Sequence, residues 1–141
     1  MNPLETKRRG RPSFLVLLAA TIIAGLASRR LADSIPRFLA DHAGDALWTL
    51  AAYFCLALVF PSARVRHIAA GALGISFLVE FSQLLDWPWL VSARKNPLGS
   101  LFLGQGFLAI DLLRYAVGMA TGVAIDCAAA RLAKRHNRAE I

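Results

Sequence analysis

Long apolar runs alternate with short polar segments along the chain. Apolar or small residues fill positions 14–27 without interruption, and residues 28–30 can extend this run into the headgroup region with their stems on the apolar surface. Three further runs follow, each close to the roughly 20 residues that a helix needs to cross a hydrocarbon core about 30 Å thick. The pattern predicts an all-α integral membrane bundle of four transmembrane helices, at about residues 14–30, 46–61, 65–85 and 107–130.

The polar segments between these runs indicate loops and chain ends. We expect residues 1–13 to form a basic arm and residues 131–141 a basic tail. Residues 29–45 mix three arginines with three aspartates around Pro36, which predicts a loop with one interfacial turn. Residues 86–106 carry two tryptophans and then several turn-forming residues, so this segment is predicted to return to the membrane interface.

The first apolar run also fits a cleaved signal peptide. A basic segment precedes it, and the small residues Gly25 and Ala27 suit cleavage before Ser28. Two arginines directly after that position are unfavourable for cleavage and translocation. We therefore expect the run to be retained as the first span, with cleavage as the alternative.

Composition places the chain in a lipid bilayer. Its 141 residues suffice for one domain; 57% are hydrophobic, 18% are charged and the mean hydropathy is +0.51, whereas charged residues make up about 25% of soluble domains. The net charge of +7 does not indicate nucleic acid, because the basic residues cluster at the ends of apolar runs and form no single basic face with interleaved aromatics. Membrane lipids are therefore the expected partners, and nucleic acid is not.

The distribution of lysine and arginine predicts the orientation. Ten of these residues lie in the N-terminal arm, the loop after Pro61 and the C-terminal tail, and five lie in the two segments 29–45 and 86–106. Because basic segments stay on the cytoplasmic side, both termini are predicted to be cytoplasmic. The three tryptophans then fall at the outer interface: Trp48, Trp87 and Trp89.

Ionisable side chains inside the third and fourth spans mark the candidate site. A charge at membrane depth costs roughly 2.5–3.5 kcal/mol on insertion scales, so such residues need partners or a water-filled cavity. Glu80 and Asp111 lie at similar depths, each with a polar residue three positions later on the same helix face. Antiparallel packing would bring Glu80 within reach of Arg114, and Asp45 could join them. A buried ion-pair network that fixes helix register is the alternative explanation.

Small and polar residues form one stripe along the fourth span, at spacings of four, three, four and four. Such a stripe is predicted to face protein, and the GxxxG motif within it favours packing against another span, with homodimerisation as the alternative. The stripe consists of Asp111, Tyr115, Gly118, Gly122 and Asp126. The candidate glycines for helix packing are Gly71, Gly74, Gly118 and Gly122.

No metal or cofactor is predicted. The three histidines, His42, His67 and His136, lack metal-ligand spacing, and the sequence contains no Gly-rich phosphate loop.

Several short motifs together resemble a known family. They are DHAGDALWTLAAYFCLALVFP at 41–61, EFSQ at 80–83, Arg94, Gly99, LGQGF at 103–107 and DLLRY at 111–115. In this order they resemble an uncharacterised bacterial four-span membrane family, and they are similar to the pattern of VanZ-like proteins. The resemblance implies that the family-pattern positions are Gly44, Asp45, Glu80, Gln83, Arg94, Gly106 and Asp111. It also implies envelope biology, since VanZ is associated with glycopeptide resistance. Ala109 departs from the family, which often has an aromatic residue at that position.

Two functions are consistent with these residues. The first is a non-enzymatic protein of the bacterial inner membrane whose outer-facing polar pocket binds a lipid headgroup, such as that of an anionic lipid or a cell-wall precursor, or a partner protein. The second is a small intramembrane enzyme in which Glu80 or Asp111 is a general base and an arginine holds an anionic group. The lack of a nucleophile with an evident base favours the first. The candidate pocket residues are Asp45, Glu80, Gln83, Arg94, Asp111, Arg114 and Tyr115.

Overall fold

The structure, a computed structural model, describes residues 11–104 and 106–139. Its helices are α1 (Arg11–Arg30), α2 (Arg37–Val59), α3 (Val65–Ser82), α4 (Pro88–Lys95), α5 (Pro97–Leu103) and α6 (Ala109–Ala139), with a 3-10 turn at Ala32–Ser34. No strand occurs in the part of the chain that the structure describes. Four helical segments are long and apolar enough to cross a membrane: Pro12–Arg30, Arg37–Val59, Val65–Ser82 and Ala109–Leu132. The prediction of an all-α bundle with four candidate spans is thereby confirmed, and the chain is a multi-pass membrane protein.

Most of the predicted loop at 29–45 is helical, which corrects that prediction. Pro36 caps the start of α2, and the helix begins at Arg37, about two turns before Asp45. Two contacts at helical spacing hold this first part together: Arg37 pairs with Asp41 at 3.7 Å, and the Phe38 ring packs edge-on against His42 with 4.6 Å between centroids. Asp45 therefore lies within a helix, where its direction is fixed by the packing of α2.

The predicted interfacial return at 86–106 consists largely of two short helices. Pro88 and Pro97 occupy the first positions of these helices, where the N–H that proline lacks would have no partner within the helix. The Asn96 side chain caps the second helix by accepting a hydrogen bond from Leu98 N at 3.1 Å. Gly104 directly follows α5 as its C-cap, and its φ of +64° favours glycine. Helices of eight and seven residues are too short to show a clear hydrophobic period, which is why the sequence pattern did not separate them from a loop.

The fourth helix continues past the predicted end of its span. α6 extends to Ala139, so the described part of the predicted tail is helical. Residues 1–10 of the predicted arm and residues 140–141 of the tail lie outside the described residues. The cytoplasmic orientation of both termini stays a prediction.

α2 is the central helix of the bundle and packs against α1, α3 and α6. The buried core centres on its residues Tyr53 and Phe54, with Phe14 of α1 meeting the Phe54 ring edge-on at 5.7 Å between centroids. Polar contacts also cross this core: Thr49 and Ser76 hydroxyls lie 2.7 Å apart. Many large apolar side chains on the outside of the helices remain exposed, as a lipid-facing surface requires.

The stripe on α6 is buried along its whole length against the other helices. A methyl group on Gly118 would overlap the Ala46 carbonyl, and one on Gly122 would lie 2.7 Å from the Tyr53 ring, so both glycines allow α6 to approach α2 closely. Gly71 has a similar neighbour, with Leu56 at 3.1 Å. Gly74 has no such neighbour: it is exposed, and among the described residues no atom lies within 4 Å of the position that its Cβ would take, so they do not form the close approach predicted there.

Candidate functional site

A polar cavity of about 480 Å³ lies at one end of the bundle. The end of α1, the first half of α2, the end of α3, α5 and the start of α6 contribute to it, and these chain segments meet because α2 lies at the centre. Its lining residues are Arg29, Asp45, Trp48, Val79, Gln83, Ser100, Phe102, Gly104, Gly106, Leu108, Asp111, Arg114 and Tyr115. Five of the seven predicted pocket residues are among them; Glu80 and Arg94 are not.

Glu80 lies fully buried beneath the cavity, where it joins α3 to the start of α6. Its side chain is 0% exposed and accepts three hydrogen bonds: from Leu108 N at 2.8 Å, from the Tyr115 hydroxyl at 2.8 Å and from Gln83 Nε2 at 3.3 Å. Leu108 immediately precedes α6, so the carboxylate also lies at the positive end of that helix. We refer to Glu80, Gln83, Leu108 and Tyr115 as the Glu80 cluster. It fixes where α6 begins relative to α3.

Arg114 forms a second cluster with two carboxylates at the wall of the cavity. Its Nη1 donates to Asp45 on α2 at 3.0 Å and to Asp111 one turn earlier on α6. The three side chains are partly accessible, at 15% for Arg114, 28% for Asp45 and 11% for Asp111. We refer to Asp45, Asp111 and Arg114 as the Arg114 cluster. In contrast to Glu80, its charges border open space.

The predicted pair between Glu80 and Arg114 is not formed. Arg114 bonds to Asp45 and Asp111, while the adjacent Tyr115 takes the place opposite Glu80. Neighbouring residues on a helix point about 100° apart, so a helix that turns Tyr115 toward α3 turns Arg114 toward α2. The sequence places both residues at the right depth but does not fix the rotation of α6 about its axis.

Gln83 closes one side of the cavity against Gly104. A Cβ at Gly104 would lie 2.6 Å from Gln83 Nε2, so glycine is required there by space as well as by its positive φ. Gln83 Nε2 donates to Glu80, whereas its Oε1 is buried with no hydrogen-bond partner among the described residues. Gln83 therefore connects the buried Glu80 carboxylate to the cavity.

Arg94 lies outside the cavity, which corrects its predicted role in the pocket. Its guanidinium donates to Ser82 O, on the last residue of α3, at 2.5 Å and to Leu85 O, three residues beyond the helix, at 3.3 Å. Basic groups at this end of a helix satisfy carbonyls that have no partner within the helix. Arg94 therefore holds α4 against α3, an arrangement that could not be predicted because α4 itself was not recognised in the sequence.

Three buried polar atoms on cavity-lining residues have no hydrogen-bond partner in the part of the chain that the structure describes. They are Trp48 Nε1, Gln83 Oε1 and Arg114 Nε. A buried donor or acceptor left without a partner costs about 1–3 kcal/mol. All three atoms belong to residues that line this one cavity.

Trp48, Arg29 and Phe102 line the cavity but were not predicted as site residues. Trp48 was interpreted only as an interface anchor, although it lies three residues after Asp45 and therefore on the same helix face. Extending the predicted second helix back to Pro36 would have placed Asp45 and Trp48 on one helix and identified Trp48 as a site residue. Phe102 belongs to α5, and no sequence signal for that helix was available.

The chemistry of the cavity is that of charged and amide groups. Among the residues that the structure describes, no group of three or more His, Cys, Asp or Glu could hold a metal ion. Two arginines and two aspartates line the cavity, and such groups bind phosphate, ammonium and hydroxyl groups by charge-assisted hydrogen bonds.

Comparison with known proteins identifies the family. No solved structure matches the chain. Residues 34–119 match the model of a family described as "Protein of unknown function (DUF2809)". The matched region covers more than half of the chain and runs from α2 into α6, so it includes both the Glu80 cluster and the Arg114 cluster. The chain therefore belongs to the DUF2809 family.

Proposed function

We propose that this protein binds the polar headgroup of a membrane lipid in the cavity at the end of its bundle, without chemical conversion of the lipid. The observation that carries the proposal is the set of three buried polar atoms, all on residues of one cavity, that have no hydrogen-bond partner among the described residues. The volume of about 480 Å³ supports it, since small-molecule sites commonly measure about 300–1,000 Å³.

The position of the cavity supports a lipid as the ligand. Arg29 lies in the last turn of the first candidate span, Gln83 directly follows the third, and Asp111 is the third residue of the fourth. All three are span-end positions, where a bilayer presents its headgroups. The headgroup of a neighbouring lipid is therefore within reach without leaving the membrane.

The contacts of the carboxylates support binding over catalysis. A general base must come within hydrogen-bond reach of the proton that it removes. Glu80 lies beneath the cavity with three donors, and both lining carboxylates bond to Arg114. These groups therefore act as structural and charge partners in the proposal.

The proposed location is the bacterial inner membrane, with both termini in the cytoplasm and the cavity on the outer side. The excess of basic residues in the arm, the loop after Pro61 and the tail supports this orientation. The resemblance of the EFSQ and DLLRY motifs to VanZ-like proteins supports a place in the cell envelope. Topology reporters fused after Arg138 should report cytoplasm, and reporters near Lys95 the outside.

Native mass spectrometry of the full-length protein in mild detergent tests the proposed function. Wild type is expected to retain a lipid, and Ser100→Trp to lose it, because Ser100 lines the cavity and a large ring would fill the space. Ser92→Trp is the matched control, since Ser92 is exposed on α4 and does not line the cavity.

Two results would contradict the proposal. Equal lipid retention by wild type, Ser100→Trp and Ser92→Trp would show that the retained lipid is not in the cavity. Conversion of added lipids to a new mass by wild type but not by Ser100→Trp would show that the cavity is catalytic.

A further inference from the structure

An apolar groove of about 410 Å³ lies along α1 and α2, next to the polar cavity. Its lining is almost wholly apolar and includes Ile22, Gly25, Ala51 and Cys55. Thr21 also lines it, but its hydroxyl donates to Leu17 O at 2.7 Å and is therefore satisfied within α1. A groove that offers almost no polar group suits an acyl chain.

The groove and the polar cavity adjoin. Arg29, Trp48 and Phe102 line both spaces, and the Trp48 and Phe102 rings are in edge-on contact at 5.6 Å between centroids. The junction therefore carries a guanidinium and an indole N–H that has no partner among the described residues. A molecule with an apolar chain and a polar end can occupy both spaces at once, with a phosphate at the junction.

The charges deeper in the cavity favour a cation. Asp45 and Asp111 share a single nitrogen, Nη1 of Arg114, so two carboxylates are balanced by one guanidinium. Gln83 Oε1 adds an acceptor without a described partner. An anionic headgroup would meet this excess negative charge, whereas an ammonium group would be attracted to it.

We infer that the ligand is one phospholipid with an ammonium-bearing headgroup. Its ammonium lies beside Asp45 and Asp111, its phosphate beside Arg29 and Trp48, and one acyl chain lies in the groove between α1 and α2. This inference rests on the proposed function and adds to it the class of lipid and the position of its chain. It favours a zwitterionic lipid over the anionic lipid expected from the sequence.

Quenching of Trp48 fluorescence tests this arrangement in the full-length protein. Trp87→Phe with Trp89→Phe leaves Trp48 as the single tryptophan of the three. The protein is reconstituted in phosphatidylcholine vesicles that contain increasing mole fractions of lipid with brominated acyl chains and an ethanolamine, choline or glycerol headgroup. The ethanolamine lipid is expected to quench Trp48 at a mole fraction on the order of fivefold lower than the glycerol lipid, because its ammonium adds charge-assisted hydrogen bonds.

Variants in the same background separate the parts of the ligand. Asp45→Asn is expected to abolish the preference for ethanolamine, and it leaves the pair between Arg114 and Asp111 in place. Arg29→Gln changes an exposed side chain and should weaken quenching by all three phosphate lipids to a similar extent. Ala51→Phe fills the groove and should reduce quenching by every brominated lipid, whereas Ala24→Phe, on an exposed position of α1 outside the groove, should not.

Specific results would overturn the inference. Equal quenching by the three headgroups, or stronger quenching by the glycerol lipid, would refute the ammonium assignment. Equal effects of Ala51→Phe and Ala24→Phe would refute the position of the acyl chain, and unchanged quenching in Arg29→Gln would refute that of the phosphate. None of these quenching results would change the lipid retention expected for wild type and Ser100→Trp in mass spectrometry, so failure of the inference is distinguishable from failure of the proposed function.

Discussion

The Glu80 cluster and the Arg114 cluster are adjacent on the same helices, yet they use charge differently. Glu80 is completely buried and accepts bonds from neutral donors on two chain segments, so its negative charge is enclosed by the fold. Asp45, Asp111 and Arg114 are partly accessible and border a cavity. The difference teaches that ionisable residues within membrane spans can be enclosed by the fold or can border a cavity, and in the proposed function only those that border the cavity contribute to ligand binding.

Removing the Glu80 carboxylate should have the largest effect on stability. Glu80→Leu would leave Leu108 N, the Tyr115 hydroxyl and Gln83 Nε2 without their acceptor, which should lower the free energy of unfolding by about 3–5 kcal/mol. Denaturant titration in detergent micelles measures this change. Glu80→Gln keeps one acceptor oxygen and should cost clearly less; equal losses for both variants would show that the hydrogen bonds are not what stabilises this region.

A substitution that pushes α6 away from α2 should destabilise the protein through packing alone. Gly118→Ala places a methyl group on the Ala46 carbonyl and is expected to lower the free energy of unfolding by about 1–3 kcal/mol. Gly74→Ala is the matched control: it meets no neighbour and should leave stability unchanged or raise it by up to about 1 kcal/mol, because alanine is the better helix former. The same titration compares them, and a greater loss for Gly74→Ala would contradict the packing described.

Neutralising a carboxylate of the Arg114 cluster should affect stability only slightly. Asp45 is partly exposed, and Arg114 keeps its bond to Asp111, so Asp45→Asn is expected to lower the free energy of unfolding by no more than about 1 kcal/mol. A loss as large as that of Glu80→Leu would mean that the two clusters are alike in role and that the comparison between them fails.

The smallest expected effect is the coupling between the clusters. Glu80 and Arg114 share no hydrogen-bond partner within the described part of the chain, so Glu80→Leu and Arg114→Leu should be additive within about 0.5 kcal/mol in a double-mutant cycle. Asp111→Leu with Arg114→Leu provides the positive control, since these two side chains are in direct contact. Strong coupling between Glu80 and Arg114 would indicate that they form the ion pair that the structure lacks.

The sequence was sufficient to predict the class of fold and the region in which the ionisable side chains of the spans gather. Helices that cross a hydrocarbon core need long apolar runs, so their existence and number follow from the sequence. Glu80, Asp111 and Arg114 stood out because charges are costly at that depth. The structure confirms the four helices and places all three residues at one end of the bundle, with Glu80 beneath the cavity.

The partners of those charges could not be predicted. Sequence gives the depth of a residue in a span, but the rotation of each helix depends on packing at other positions, such as Gly118 against Ala46. The short helices α4 and α5 supply Arg94 to the end of α3 and Phe102 to the cavity, and their length hides any period. Contacts between distant segments therefore needed the structure.

The bond from Leu108 N to Glu80 also bears on the order in which the chain enters the membrane. Glu80 is synthesised 28 residues before this donor and 35 residues before the Tyr115 hydroxyl. Until α6 emerges from the ribosome, the third span carries a carboxylate that lacks two of its three donors, and a hydrocarbon environment disfavours it. We therefore expect stable integration of α3 to await α6, so that the third and fourth spans enter the bilayer as a pair and a chain terminated before residue 108 keeps its third span at the insertion machinery.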